Sequence, residues 1–299
     1  MTQKNLSPAL VAYHRRVLAM RQSSQIDFPA HVHLETMAAC NAACIFCPHS
    51  SLDRKGAVME DTLIEKVVND LCDIPSLHNF QLSPFKVNEP FLDSRLMDLL
   101  SLFQERLPNA SITLTSNASP ITEKKLAQLA AFSRIGYLWI SFNDHREMEY
   151  EQTMRLPYKR TLERLEMIHT AKAEQRLSLR VVLSRVCDGS SADQEFVLWV
   201  KNRFPLFEVS LFPRGGWIGQ VAGPAAPPPA VGCTRWFDVS ITATGVAAHC
   251  CMDGKAEFPV GDVRREHVLE IYNKPDFRRL REDLATRLET EPCRRCGFM

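Results

Sequence analysis

The chain has 299 residues, 45% hydrophobic and 24% charged, a composition that excludes a disordered or fibrous protein and provides for one large domain with an appendage. Lys and Arg number 36 against 35 Asp and Glu, so charge gives no reason to expect a nucleic-acid or membrane partner. The first residues lack an uninterrupted apolar stretch of the signal-peptide kind, and no run approaches the roughly 18 apolar residues of a membrane span; the expected location is cytoplasmic.

Stretches of strand type and helix type alternate along the chain. Strands are predicted at 30–37, 79–85, 111–117, 137–143, 177–186 and 207–212. Helices are predicted at 60–72, 93–107, 122–132, 158–175 and 193–204. The long helix 158–175 carries Leu162, Leu165 and Ile168 on one stripe. Such repeats imply a parallel sheet with helical crossovers, and six units make a partial (β/α)6 TIM barrel of the α/β class. Chemistry in such barrels sits at the C-terminal ends of the strands. Residues 213–232 are rich in Gly and Pro and read as a loop. A hairpin is predicted from 236–242 and 245–251, turning near Gly245, and a helix at 275–288 with Pro275 in its first turn. The divisions are an N-terminal extension (1–29), the barrel (30–215), a linker (216–232) and a small C-terminal domain (233–299).

Ten cysteines stand out, eight of them clustered. Clustered thiols without a secretory signal point to metal rather than disulfides. Cys72 and Cys187 lie apart and are expected to pack in the barrel. Cys40, Cys44 and Cys47 form C-x3-C-x2-C directly after the first strand. Three thiolates on one loop can hold three corners of a cubane, leaving an open iron. Zinc, with His49 as fourth ligand, stays open on spacing alone. Cys233, Cys250, Cys251, Cys293 and Cys296 lie at the other end, five thiols where a second cubane needs four.

The loop CNAACIFC, with Phe46 in the aromatic place, resembles the signature of the radical S-adenosylmethionine (SAM) family. The resemblance implies a [4Fe–4S] cluster whose open iron chelates SAM, and release of a 5′-deoxyadenosyl radical on reduction. It implies that Glu89, in Asn88-Glu89-Pro90, accepts the SAM ammonium group; the family usually has Gly where Asn88 stands. It also implies that Ser116, Asn117, Ser141 and Arg180, near strand ends, contact SAM. The tail resembles the twitch domain, a truncated SPASM domain with one auxiliary [4Fe–4S] cluster. Neighbours on an extended segment point to opposite sides, so one of Cys250 and Cys251 ligates iron while the other faces elsewhere. The G-x4-C pattern from Gly245 favours Cys250 as ligand, whereas the sugar-modifying relatives favour Cys251. The expectation adopted is Cys233, Cys251, Cys293 and Cys296 as ligands, with Cys250 a free thiol that returns hydrogen to a substrate radical.

That combination resembles the aminoglycoside epimerases that invert C5‴ of neomycin C to give neomycin B. It implies a small polycationic substrate and an electron donor of flavodoxin or ferredoxin type. The acids Asp144, Glu147, Glu149, Glu151 and Asp253 are candidate substrate contacts. The alternative is a dehydrogenase of an aminocyclitol or aminosugar alcohol that uses the auxiliary cluster as electron acceptor. A peptide-modifying enzyme and a non-catalytic zinc protein rank behind both.

Overall fold

The computed structural model describes residues 7–223, 226–283 and 286–298. Residues 1–6 of the N-terminal extension, 224–225 of the linker, 284–285 of the last predicted helix and 299 lie outside them.

Six parallel strands form the barrel wall: β1 (His31–Leu34), β2 (Phe80–Ser83), β3 (Ala110–Ser116), β4 (Ile135–Ser141), β5 (Val181–Cys187) and β6 (Glu208–Pro213). The helices α2 (Asp61–Leu71), α3 (Leu96–Arg106), α4 (Glu123–Leu129), α6 (Tyr158–Ala173) and α7 (Ser191–Arg203) lie between them in the chain. Helix α2 shows why: Ile64, Val67, Val68 and Leu71 recur at helical spacing and are buried together with Val32 and Leu34 of β1. The residues of β1 alternate: His31 and His33 instead join the hydroxyls of the barrel interior, where His31 Nε2 lies 2.7 Å from Ser83 Oγ and Ser83 bonds Thr113.

The sheet is open, with strand order β6-β5-β4-β3-β2-β1-β7-β8-β9. Strand β7 (Asp238–Ile241) runs parallel to β1 in the register His33↔Ser240. The C-terminal region therefore continues the barrel's own sheet. Its hairpin from β7 to β8 (Val246–Ala248) turns at Gly245, whose φ of 83° is the left-handed conformation that favours glycine. Strand β9 (Pro259–Asp262) ends the sheet, followed by α8 (Val268–Tyr272) and α9 (Pro275–Asp283).

Three helices add to the expected elements, the short α8 among them. Helix α1 (Pro8–Arg21) is N-capped by Ser7, and α5 (Glu147–Met154) takes up the acidic run after β4. Among the described residues no helix is long and apolar enough to cross a membrane.

Candidate functional site

The Cys40–Cys47 loop leaves the C-terminal end of β1. Burial pushes Cys40 up to about 12 and Cys47 to about 11, and Cys44 higher still. As bare thiols they stay neutral; only bound metal makes such sulfurs thiolates. Among the described residues, neither cysteine set brings three sulfurs within 4.8 Å of one another. A single tetrahedral zinc draws thiolates to ~3.8 Å. A loop of three thiols, which leaves one corner free, fits a polynuclear iron–sulfur cluster better than a four-coordinate zinc.

The next loops close around this one. Glu89 is buried; its carboxylate accepts from Ser116 Oγ (2.8 Å) and from the backbone N–H of Asn117 (2.7 Å) and Phe91 (3.1 Å). Its own N–H donates to Ala39 O, at the root of the cysteine loop. Asn117 Nδ2 donates to Asn41 Oδ1 at 2.9 Å. Glu89, Ser116 and Asn117 therefore meet beside the first cysteines. Burial holds the Glu89 carboxyl at about 7, despite those donors.

That shift has a consequence. The fold binds this proton more tightly than the unfolded chain, so its stabilising effect is complete below about 4.5 and is lost as pH climbs through about 7. SAM-free protein is expected to lose on the order of 3 kcal/mol of stability from this one group across that window. Glu89→Gln should flatten the difference, checked by urea unfolding of both proteins at either end of the range.

A cleft of about 540 Å³ opens over the ends of β4, β5 and β6. Phe46 lines it with Asn143, Arg185 and Arg214. Ser141 is half-buried at the end of β4, opposite Ser184 of β5. Arg180 is elsewhere: it precedes β5, at the far end of the strand, and is exposed and paired with Glu208 at 2.5 Å. Arg185 occupies the cleft in its stead, buried and bonded to Asp144 (2.7 Å), Asp193 (2.7 Å) and the carbonyl of Asn143. Asp144 is committed to Arg185 and Arg146, and Asp253 to the N–H groups of Glu257 and Phe258. Glu149 lines the cleft, whereas Glu151 caps Tyr158 N and Glu147 faces Lys159. Cys187 lines the cleft mouth, and Cys72 is exposed at the end of α2 rather than packed in the barrel.

At the other end, Cys233, Cys250, Cys293 and Cys296 line one small cavity with Trp236, Arg287 and Phe298. Trp236 Nε1–H donates to Cys293 Sγ at 3.4 Å, and His249 Nε2 lies 3.4 Å from the same sulfur. Arg287 is fully buried, and its Nη2 has no partner among the described residues. Four thiols beside an unmatched cation suit an anionic cluster.

Cys251 is the one that turns away, reversing the expected doublet. The chain bends after β8, so Cys251 meets His33 and Arg235, while Cys250 meets the other three thiols. Burial pushes Cys250 up, and its neighbouring thiols add to this. Burial also acts on Cys251, but Arg235 and His33 outweigh it and hold that thiol below its ordinary value. Buried Lys86, from the loop after β2, fixes the bend by donating to the carbonyls of Cys250 (3.3 Å), Cys251 (3.5 Å) and Asp253 (2.8 Å). Sequence reasoning gave no role to Lys86, His33, Arg185 or Arg235.

Residues 233–297 match the SPASM family, described as an iron–sulfur cluster-binding domain. No curated protein matches the chain significantly. Among solved structures, BtrN in complex with AdoMet and 2-DOIA is 17% identical, with a TM-score of 0.64 over 90% of this chain and 93% of that one. Streptococcus suis SuiB bound to precursor peptide SuiA is 13% identical, with a TM-score of 0.69 over 95% and 73%. Native anSMEcpe with bound AdoMet is 13% identical, with a TM-score of 0.57 over 89% and 87%. The tail that extends the barrel's sheet is thus a SPASM-type iron–sulfur cluster-binding domain, and the chain as a whole shares the fold of these solved structures, with the three-cysteine loop at the head of its partial barrel.

Proposed function

We propose that the chain is a radical SAM enzyme, and that it is an epimerase of aminoglycoside sugars, inverting a ring carbon as in the conversion of neomycin C to neomycin B. Cys40, Cys44 and Cys47 hold the cluster that binds SAM, with Glu89 receiving the SAM ammonium group. Cys233, Cys250, Cys293 and Cys296 hold the auxiliary cluster. When bound, the SAM-carrying cluster supplies a 5′-deoxyadenosyl radical, which removes a hydrogen atom from the substrate carbon.

Cys251 then returns hydrogen from the opposite face. Its S–H bond breaks homolytically, a C–H bond forms with inverted configuration, and the sulfur is left as a thiyl radical. One electron, from a donor of flavodoxin or ferredoxin class, and one proton restore the thiol. His33 stands beside the sulfur and is suited to return that proton to it, so that the neutral thiol meets the next substrate radical. The observation that carries this reading is a fifth, half-buried cysteine that is not among the four thiols of the auxiliary cavity. The unpartnered hydroxyl of Ser240 on β7 also suits a hydroxyl- and amine-rich ligand.

A second reading, oxidation of an aminocyclitol alcohol, is favoured by the likeness to BtrN crystallised with 2-DOIA. Turnover of neomycin C in deuterium oxide separates the two. The epimerase gives an isomer heavier by one deuterium at the inverted carbon, because a thiol exchanges its hydrogen with solvent. A product lighter than substrate by two hydrogens would establish the oxidation instead.

A further inference from the structure

The N-terminal helix has no role in the chemistry described so far, yet it lies over the auxiliary cavity. Val17 and Met20 of α1 pack with Cys233, Trp236, Phe237 and Cys293 in a core separate from that of the barrel. From the same helix the Tyr13 hydroxyl reaches Cys233 Sγ at 3.5 Å. Its direction is set by Thr234, whose backbone N–H donates to the phenol oxygen at 3.0 Å. The Thr234 hydroxyl lies 3.2 Å from the same oxygen and can donate to it as well. With its lone pairs so engaged, the phenol directs its own hydrogen at the sulfur. The Arg287 guanidinium stacks over the Tyr13 ring at 5.3 Å and lines the cavity with Cys233.

We infer that α1 is a working part of the auxiliary-cluster site, and that Tyr13, by donating a hydrogen bond to the Cys233 thiolate, holds the reduction potential of that cluster up. The physical reason is the charge on sulfur. Reduction adds an electron that is spread over the cluster and its thiolates, so a donor aimed at one of them stabilises the reduced form more than the oxidised one. The helix also keeps water from the same sulfur. Tyr13 is a positioning residue in this role: it acts through Cys233 and touches neither substrate nor SAM. The inference rests on Cys233 being a ligand.

The test is Tyr13→Phe in the full chain, reconstituted anaerobically and titrated potentiometrically with EPR detection. Addition of SAM identifies the signal of the SAM-binding cluster, which leaves the auxiliary signal to be followed. Iron and sulfide should match wild type, while the auxiliary midpoint moves to a more negative potential. An unchanged midpoint overturns the inference, and so does loss of auxiliary iron, since a tuning contact leaves ligation intact. In Thr234→Val the sulfur becomes the phenol's one remaining acceptor, so the midpoint should stay at or above wild type. A fall equal to that of Tyr13→Phe would assign the effect to packing and overturn the hydrogen bond. Cys233→Ser tests the underlying reading separately: it should abolish or alter the auxiliary signal, and an unaltered one shows that Cys233 is no ligand, whatever Tyr13 does.

Discussion

Cys44→Ala is expected to stop SAM cleavage. Release of 5′-deoxyadenosine under dithionite should fall by at least about 1000-fold, the equivalent of about 4 kcal/mol of lost barrier lowering. Anaerobic preparations should still hold about four of the roughly eight iron atoms of two cubanes. The size of the effect follows from the loop. Three thiols from one short segment are its whole donor set, and Cys44 lies in the middle, its Sγ 3.7 Å from Met154 Sδ. No fourth cysteine stands near enough to take its place: Cys187 belongs to the far side of the cleft, and the tail thiols surround their own cavity. The tail should be indifferent to the change, because its thiols surround a cavity of their own and its sheet joins the barrel through β1 and β7. Cleavage that persists in Cys44→Ala would show that this loop does not hold the cluster that cleaves SAM.

Which parts of this site were legible in the sequence depended on how locally each was specified. The C-x3-C-x2-C loop and Glu89 were legible because each sits within a few residues of a strand end, and the strands were plain from apolar runs. Arg180 and Arg185 show the limit. Both lie close to the same strand, and only the observed start of β5 at Val181 sends one to the solvent and the other to the cleft. The doublet failed for a related reason. Alternation on an extended segment separates two neighbours but does not say which faces inward, and here a bend held by Lys86 decides it across 164 positions. Helix α1 had a readable start, since Ser7-Pro8 is a good N-cap and first-turn pair. Its weakly amphipathic sequence hid it, because its buried side chains are few and face the auxiliary domain rather than the barrel. His31 and His33 were obscured because polar residues on a barrel strand look the same in sequence whether they line the interior or the outside.

The doublet gives the other large effect. Cys250→Ala is expected to lose the auxiliary cluster, taking total iron from about eight atoms to about four, because Cys250 is the member that shares a cavity with Cys233, Cys293 and Cys296. Cys251→Ala should keep all the iron and should still release 5′-deoxyadenosine, since its thiol lies among His33 and Arg235, outside that cavity. What it should lose is inversion, by at least about 100-fold or some 3 kcal/mol: an alanine methyl has no weak S–H bond to give to a carbon radical. Iron analysis, 5′-deoxyadenosine release and deuterium incorporation into the product then separate the two positions in one set of measurements. If Cys251→Ala sheds iron and Cys250→Ala keeps it, the roles are exchanged and the bend held by Lys86 does not persist around the bound cluster. If Cys251→Ala inverts substrate as well as wild type, the hydrogen comes from another group, and the case for an epimerase loses the observation on which it stands.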